Sequence, residues 1–195
     1  MAGTIAVDEV KYVSSYPNRS ELASIIQKTR FIGGAVSNCS TTLARIDPNL
    51  PIEAIAIVGD DDKGRFLKKE LSKFKNIDLK QVKETGETTF TDVIHDLKDN
   101  TRTFFTYKGN GALFDESFID LDSINSSILH IGYILLLDAL DKEDSKYGTK
   151  MARLLKHAQD KGIKTSIDIV SENSDRYEKL VPPSLKFVNY CIVNE

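Results

Sequence analysis

The chain has 195 residues, of which 41% are hydrophobic and 28% charged, with a net charge of -3. That suits one α/β domain with room for a small appendage, and it leaves no electrostatic footprint for nucleic acid or an anionic membrane. The longest apolar run, Ile128 to Leu137, is too short to span a bilayer. Cys39 and Cys191 lack partner spacing and read as reduced thiols of a cytoplasmic protein, so the N-x-S triplets at Asn18, Asn38 and Asn125 read as chance matches.

In chain order, Thr4-Ile5-Ala6-Val7 reads as a buried strand ending at Asp8. Val10 to Val13 is β-rich and breaks at Tyr16-Pro17-Asn18. Ser24 to Phe31 shows partial two-residue alternation, the mark of a strand with one wet face. Ile32-Gly33-Gly34-Ala35-Val36-Ser37-Asn38 follows and opens a helix through Leu43, Ala44 and Ile46. Ala54 to Val58 reads as a strand, Asp61 to Phe74 as a helix with Phe66, Leu67, Leu71 and Phe74 near one face, and Leu79 to Val82 as a strand.

Thr88 to Asp96 and Thr101 to Lys108 then flank Leu97-Lys98-Asp99-Asn100 as a hairpin. Further on come a strand at Ile128 to Ile131, a helix marked by Tyr147, Met151, Leu154, Leu155 and Ala158 with a stop at Lys161-Gly162, and strands at Thr165 to Ile169 and Tyr190 to Val193. Alternating strands and helices predict a doubly wound, mostly parallel sheet covered on both faces. Two β-rich segments, 9–31 and 85–108, interrupt that rhythm and are expected to pair as a small separate sheet. The core then comprises 1–8, 32–84 and 109–195.

Two glycines at a strand-to-helix junction let the backbone turn sharply and approach a ligand closely, and Asn38 lies one helical turn beyond. A carboxylate at a strand end, an amide and free backbone N–H groups together suit a polyhydroxylated molecule. Gly33-Gly34 as a nucleotide phosphate loop is a weaker reading, because both the Gly-x-Gly-x-x-Gly spacing and a Walker lysine are missing.

The remaining motifs have plainer readings. Asp60-Asp61-Asp62-Lys63-Gly64 looks like a calcium loop, but Leu71 stands where the closing Glu is needed, and acids at a helix N-terminus explain it. Cys39 reads as a packed thiol and His130 as a satisfied buried histidine. His95, His130 and His157 show no metal spacing. Phe104, Phe105 and Tyr107 read as the inner face of the small sheet.

The ordered set of Gly3-Thr4-Ile5-Ala6-Val7-Asp8, Gly33 to Asn38, Val58-Gly59-Asp60-Asp61-Asp62-Lys63-Gly64, Thr88-Thr89, Gly109-Asn110-Gly111-Ala112 and Val193-Asn194-Glu195 resembles the ribokinase-like (PfkB-type) carbohydrate kinases over nearly the whole chain. The resemblance implies a β lid closing over a sugar, phosphorylated at a hydroxyl by ATP with Mg2+. It assigns Asp8, Gly33, Gly34 and Asn38 to the sugar, and places Asn194 and Glu195 near the nucleotide phosphates and magnesium, with no direct metal ligand.

Three positions depart from the family pattern. Val36 replaces a small residue, Asp47 replaces the usual glycine after the first helix, and Ala6 stands where ribose-specific members carry a sugar-binding Asn. Other sugars, nucleosides and related polyols stay open. The second Glu of an Asn-Glu-x-Glu motif would fall at position 197. The later Gly-Ala-Gly-Asp segment, with its anion hole and catalytic Asp, would lie further on. The expectation is therefore the N-terminal, substrate-binding part of a sugar kinase, with no catalytic residue of its own and negligible transfer alone. The alternative is a non-catalytic sugar-binding or regulatory protein on the same scaffold. A homodimer through the lid fits either reading.

Overall fold

The computed structural model describes residues 1–170, 172 and 174–193. In chain order the strands are β1 (Ala2–Gly3), β2 (Ala6–Val13), β3 (Ile25–Gly33), β4 (Ile52–Val58), β5 (Ile77–Glu84), β6 (Phe90–Asp96), β7 (Thr101–Tyr107), β8 (Ile128–Ile134), β9 (Glu143–Asp144), β10 (Gly148–Thr149), β11 (Lys164–Ile169) and β12 (Tyr190–Ile192). The α-helices are α1 (Gly34–Ile46), α2 (Asp62–Leu71), α3 (Lys150–Asp160) and α4 (Tyr177–Leu185). No helix among the described residues is long and apolar enough to cross a membrane.

Six strands form a parallel sheet in the order β12-β11-β8-β1-β4-β5. Strand β4 shows how the sequence covers both faces. Ala54, Ala56 and Val58 join a buried cluster with Val36 and Ala44 of α1 and Leu67 and Leu71 of α2. Ile55 and Ile57, pointing the other way, join Met151, Leu154, Leu155 and Ala158 of α3. A strand buried on both faces reads as an unbroken apolar run, as Ala54 to Val58 does.

The expected separate sheet is also present: β3, β2, β6 and β7 form a four-stranded sheet in that order, with β2 and β6 parallel. One boundary differs from the sequence reading. The core sheet uses only Ala2–Gly3, and the chain has already joined the small sheet at Ala6. Asp8 is therefore inside β2, not at the end of a core strand. The 3.0 Å bond from Val36 N–H to the Thr4 carbonyl and the 2.8 Å bond from Thr4 N–H to the Gly132 carbonyl pin Thr4, where the chain leaves the core.

Helix α2 starts as its acidic run suggests. Asp61 is the N-cap, accepting from Gly64 N–H at 2.7 Å, and the same carboxylate accepts from Thr88 N–H at 2.8 Å and Thr88 Oγ1 at 2.7 Å. These bonds outweigh burial and hold the Asp61 carboxyl below the usual range. They also tie α2 to the segment that leads into β6. Thr149 caps α3 in the same way, its Oγ1 accepting from Ala152 N–H at 3.1 Å. The short β9–β10 hairpin and α4 have no counterpart in the sequence reading. Pro182 and Pro183 inside α4 mask its helical pattern.

Candidate functional site

The chain runs from β1 out to β4 and β5 on one side, then returns to β8, β11 and β12 on the other. Strands β1 and β8 are neighbours from which the connections diverge. In open α/β sheets such a switch point leaves a crevice beyond the C-terminal strand ends. Thr4 and Tyr133 stand at its two lips, each just past a Gly3–Gly132 register pair.

Above this crevice stands the small sheet, and strand register sorts its side chains. Residues paired across neighbouring strands share a face. Asp8 pairs with Phe31 and Thr91, Thr91 with Thr106, Val93 with Phe104, and His95 with Arg102. One face therefore carries Asp8, Phe31, Thr91, Thr106, Phe104 and Arg102. Phe105 and Tyr107, expected beside Phe104, occupy the opposite face because alternation forbids the three from sharing one. Tyr107 packs 5.4 Å from Phe90 and donates to Glu87 at 2.7 Å.

The Asp8 carboxylate is half-buried and has no hydrogen-bond partner among the described residues. Burial pushes its pKa up, and the Arg102 charge partly opposes this. It lies directly against Gly33: a Cβ built there would be 2.5 Å from Oδ2. Gly34 follows with φ +79°, and its own Cβ would stand 2.6 Å from the Thr4 carbonyl oxygen. Glycine is thus required twice, once for a close approach and once for a left-handed backbone. Gly33 also serves as N-cap of α1 without a side-chain cap; Val36 N–H goes to the Thr4 carbonyl, while the Gly34 and Ala35 N–H groups have no side-chain acceptor among the described residues.

Asn38 is exposed one turn into α1, and its amide acts on the Tyr133 phenol. Tyr133 is raised in pKa, chiefly by burial and then by the Asp168 charge, while Asn38 lowers it. Cys39 and Asp8 raise it further. Tyr133 thus lies within electrostatic reach of Asp8, Cys39 and Asp168 and close to the Asn38 amide, although the sequence gives no sign of it.

Of the residues singled out from sequence, Asp8, Gly33, Gly34 and Asn38 come together here. Asn194 and Glu195 lie outside the described residues. Tyr133, Asp168, Arg102 and Phe104 complete the surroundings. Asp168, near the C-terminal end of β11, is 35 positions from Tyr133 in the chain and is legible from sequence only as part of a strand.

A second hollow opens along the same rim, a cavity of about 520 Å3 lined by Lys108, Asp138, Asp141, Lys142, Arg176 and Lys179. Lys108 reaches Asp138 at 2.5 Å, and Arg176 pairs with Glu172 and donates to the Leu135 carbonyl at 2.9 Å. Asp141 is buried, and desolvation lifts its pKa to about 6 even though Leu135 N–H and the Arg176 charge favour the ionised form.

A profile of the pfkB family carbohydrate kinases matches residues 2–189. The chain belongs to the PfkB family of carbohydrate kinases. No curated protein matches it. Among solved structures, a ribokinase from Giardia lamblia superposes with a TM-score of 0.76 at 13% identity, covering 100% of this chain and 57% of its own. A ribokinase from Arabidopsis thaliana, complexed with ribose and ATP, gives 0.72 at 15% identity, covering 100% and 59%. A fructokinase from Xylella fastidiosa with bound ATP gives 0.70 at 16% identity, covering 97% and 58%. At such identities the likeness shows the fold alone. The PfkB chain described here spans somewhat under three fifths of the length of these proteins.

Proposed function

We propose that these residues form the sugar-binding part of an ATP-dependent carbohydrate kinase. The observation that carries this reading is the convergence at the β1–β8 switch point of Asp8 and Gly33, carried by a small sheet built as a lid, with Gly34 and Asn38 of α1. In this reading the Asp8 carboxylate accepts two sugar hydroxyl hydrogens, which its lack of a partner leaves it free to do. Backbone groups at Gly33 and Gly34 approach the ring, and the Asn38 amide takes a further hydroxyl. Phe31 and Phe104 supply apolar cover that excludes water when the lid closes.

ATP supplies the phosphoryl group and Mg2+ the charge neutralisation that such transfer needs. The ATP in the Arabidopsis and Xylella structures supports that donor. The chain's own part is to bind and orient the hydroxyl that accepts it. Asn194 and Glu195 are assigned to the phosphate side by motif resemblance. The base that takes the hydroxyl proton is assigned to sequence beyond these 195 residues, a reading supported by the 57–59% span of the matched structures. Exposed Ile25, Ile26 and Phe105 on the lid support a homodimer formed through it.

Titration calorimetry of the chain against pentoses, hexoses and nucleosides tests the binding half of this proposal. The expected result is saturable binding of at least one compound, weakened about 100-fold or more by Asp8→Ala, since two hydrogen bonds to a charged group are lost. A flat response across the panel, with wild-type folding intact by circular dichroism, overturns it.

A further inference from the structure

Cys39 of α1, His130 of β8 and Asp168 of β11 meet beneath the crevice. One ligand atom from each, a thiol sulfur, an imidazole nitrogen and a carboxylate oxygen, lie within 4.8 Å of one another. The register explains the meeting. His130 pairs with Ser166 on the neighbouring strand, and Asp168, two residues on, shares that face. Leu129 and Ile131 point to the α3 side, so His130 points toward α1, whose second turn carries Cys39.

The sequence reading of a satisfied histidine holds for only half of the ring. His130 is 8% exposed, and its Nδ1 is 3.0 Å from Ser166 Oγ. Its Nε2 is buried with no hydrogen-bond partner among the described residues, 3.6 Å from Asp168 Oδ2, while Asp168 Oδ1 is buried and equally alone. Buried polar atoms without partners cost about 1–3 kcal/mol each and are rare. An unpartnered imidazole nitrogen and an unpartnered carboxylate oxygen on neighbouring strands, next to a thiol, make a donor set suited to a metal ion.

We propose that Cys39, His130 and Asp168 bind a divalent transition-metal ion of the zinc type. Thiolate, imidazole and carboxylate suit such an ion and do not suit Mg2+ or Ca2+, which take oxygen ligands. Ligand atoms around a tetrahedral ion with bonds near 2.0 Å are separated by roughly 3.3 Å, close to the His130–Asp168 spacing. Ser166 on Nδ1 fixes the ring and leaves Nε2 as the ligand, as second-shell partners of metal-bound histidines do. Binding releases the Cys39 thiol proton to solvent, together with the Nε2 proton of any protonated His130. Three protein ligands leave a coordination position open. Tyr133, within electrostatic reach of both Asp168 and Cys39, places the cluster at the border of the proposed sugar cleft. This site stands independently of the kinase reading.

The competing arrangement is an imidazolium–carboxylate pair with no metal, and two measurements on the full chain separate the two. First, Co2+ is titrated into chelator-treated protein. The proposal expects one equivalent bound, a thiolate-to-cobalt charge-transfer band and the strong visible bands of a four-coordinate ion. Cys39→Ser removes the charge-transfer band, and Ser166→Ala weakens binding about 10-fold or more. Second, alkylation by iodoacetamide is followed residue by residue on wild-type protein, which avoids any variant that fails to fold. Zn2+ is expected to slow modification of Cys39 about 10-fold or more and leave exposed Cys191 unchanged, with Mg2+ inert toward both. No charge-transfer band with Co2+, or a Cys39 alkylation rate that Zn2+ does not change, overturns the proposal.

Discussion

The Asp8 carboxylate occupies the space that a side chain at residue 33 would fill: a Cβ on Gly33 would sit 2.5 Å from Oδ2 and 2.6 Å from Oδ1. A lid strand and a helix N-terminus are thereby locked into one site. Gly33→Ala must push the carboxylate aside. Because Gly33 itself has extended backbone with φ -141°, the substitution brings no φ penalty and the protein should fold. Sugar binding should fall about 10-fold or more, and in a double-mutant cycle Gly33→Ala should add little once Asp8 is already Ala. Calorimetry on the four proteins checks this; additive losses would show that the two residues act separately.

Asp61 holds three donors at once, Gly64 N–H, Thr88 N–H and Thr88 Oγ1. Asp61→Ala removes a helix cap and leaves the buried Thr88 hydroxyl short of a partner. The expected loss is about 2–4 kcal/mol in urea unfolding at neutral pH. Because the folded pKa is lowered, this contribution is present above the unfolded carboxyl value and disappears as pH falls through the folded one, so the gap between wild type and variant should close in acid. A gap that persists at the acid end would contradict the assignment.

Asp141 behaves in the opposite sense. Burial raises its pKa from 3.8 to about 6, so the folded state holds the proton more tightly than the unfolded chain does. The resulting stability is complete below about pH 4 and is lost as pH rises through about 6. Asp141→Asn keeps an oxygen to accept from Leu135 N–H and cannot ionise. It should stabilise the protein by about 1–3 kcal/mol at pH 7.5 and by nothing measurable at pH 4, read from urea midpoints at the two pH values. Equal effects at both would exclude titration of Asp141 as the cause.

Gly34 carries a positive φ and faces the Thr4 carbonyl oxygen at 2.6 Å from its would-be Cβ. Here, unlike at Gly33, both strain and backbone contact oppose a side chain. Gly34→Ala should cost about 1–3 kcal/mol or more of stability. Thermal unfolding of Gly33→Ala and Gly34→Ala in parallel tests the contrast, with the larger drop expected at residue 34.

Much of the fold is legible in the chain because its strands are long enough to show a period. Ala54 to Val58 reads as buried on both faces, and the Thr101 to Lys108 run reads as a hairpin arm. The first core strand is not legible, since two residues, Ala2 and Gly3, cannot display a pattern, whereas Ala6 and Val7 look like core yet begin the lid. Helix α4 hides behind Pro182-Pro183. The same contrast holds at the site. Asp8, Gly33, Gly34 and Asn38 carry backbone freedom and hydrogen-bonding groups in compact motifs. Tyr133, His130 and Asp168 reach the site through the pairing of β8 with β11, and nothing in their local sequence announces it. Cys39 and His130 are 91 positions apart in the chain, and only the packing of α1 on β8 brings them together.

The most direct test of the kinase reading is sugar-dependent ADP release from ATP and Mg2+, measured on the protein as its own cell produces it, wild type against Asp8→Asn. The expected result is release that depends on at least one sugar, nucleoside or related polyol and falls about 100-fold or more in the variant. Sugar binding without any sugar-dependent ADP release from the wild-type protein would contradict it, and would leave a sugar-binding protein on a kinase scaffold.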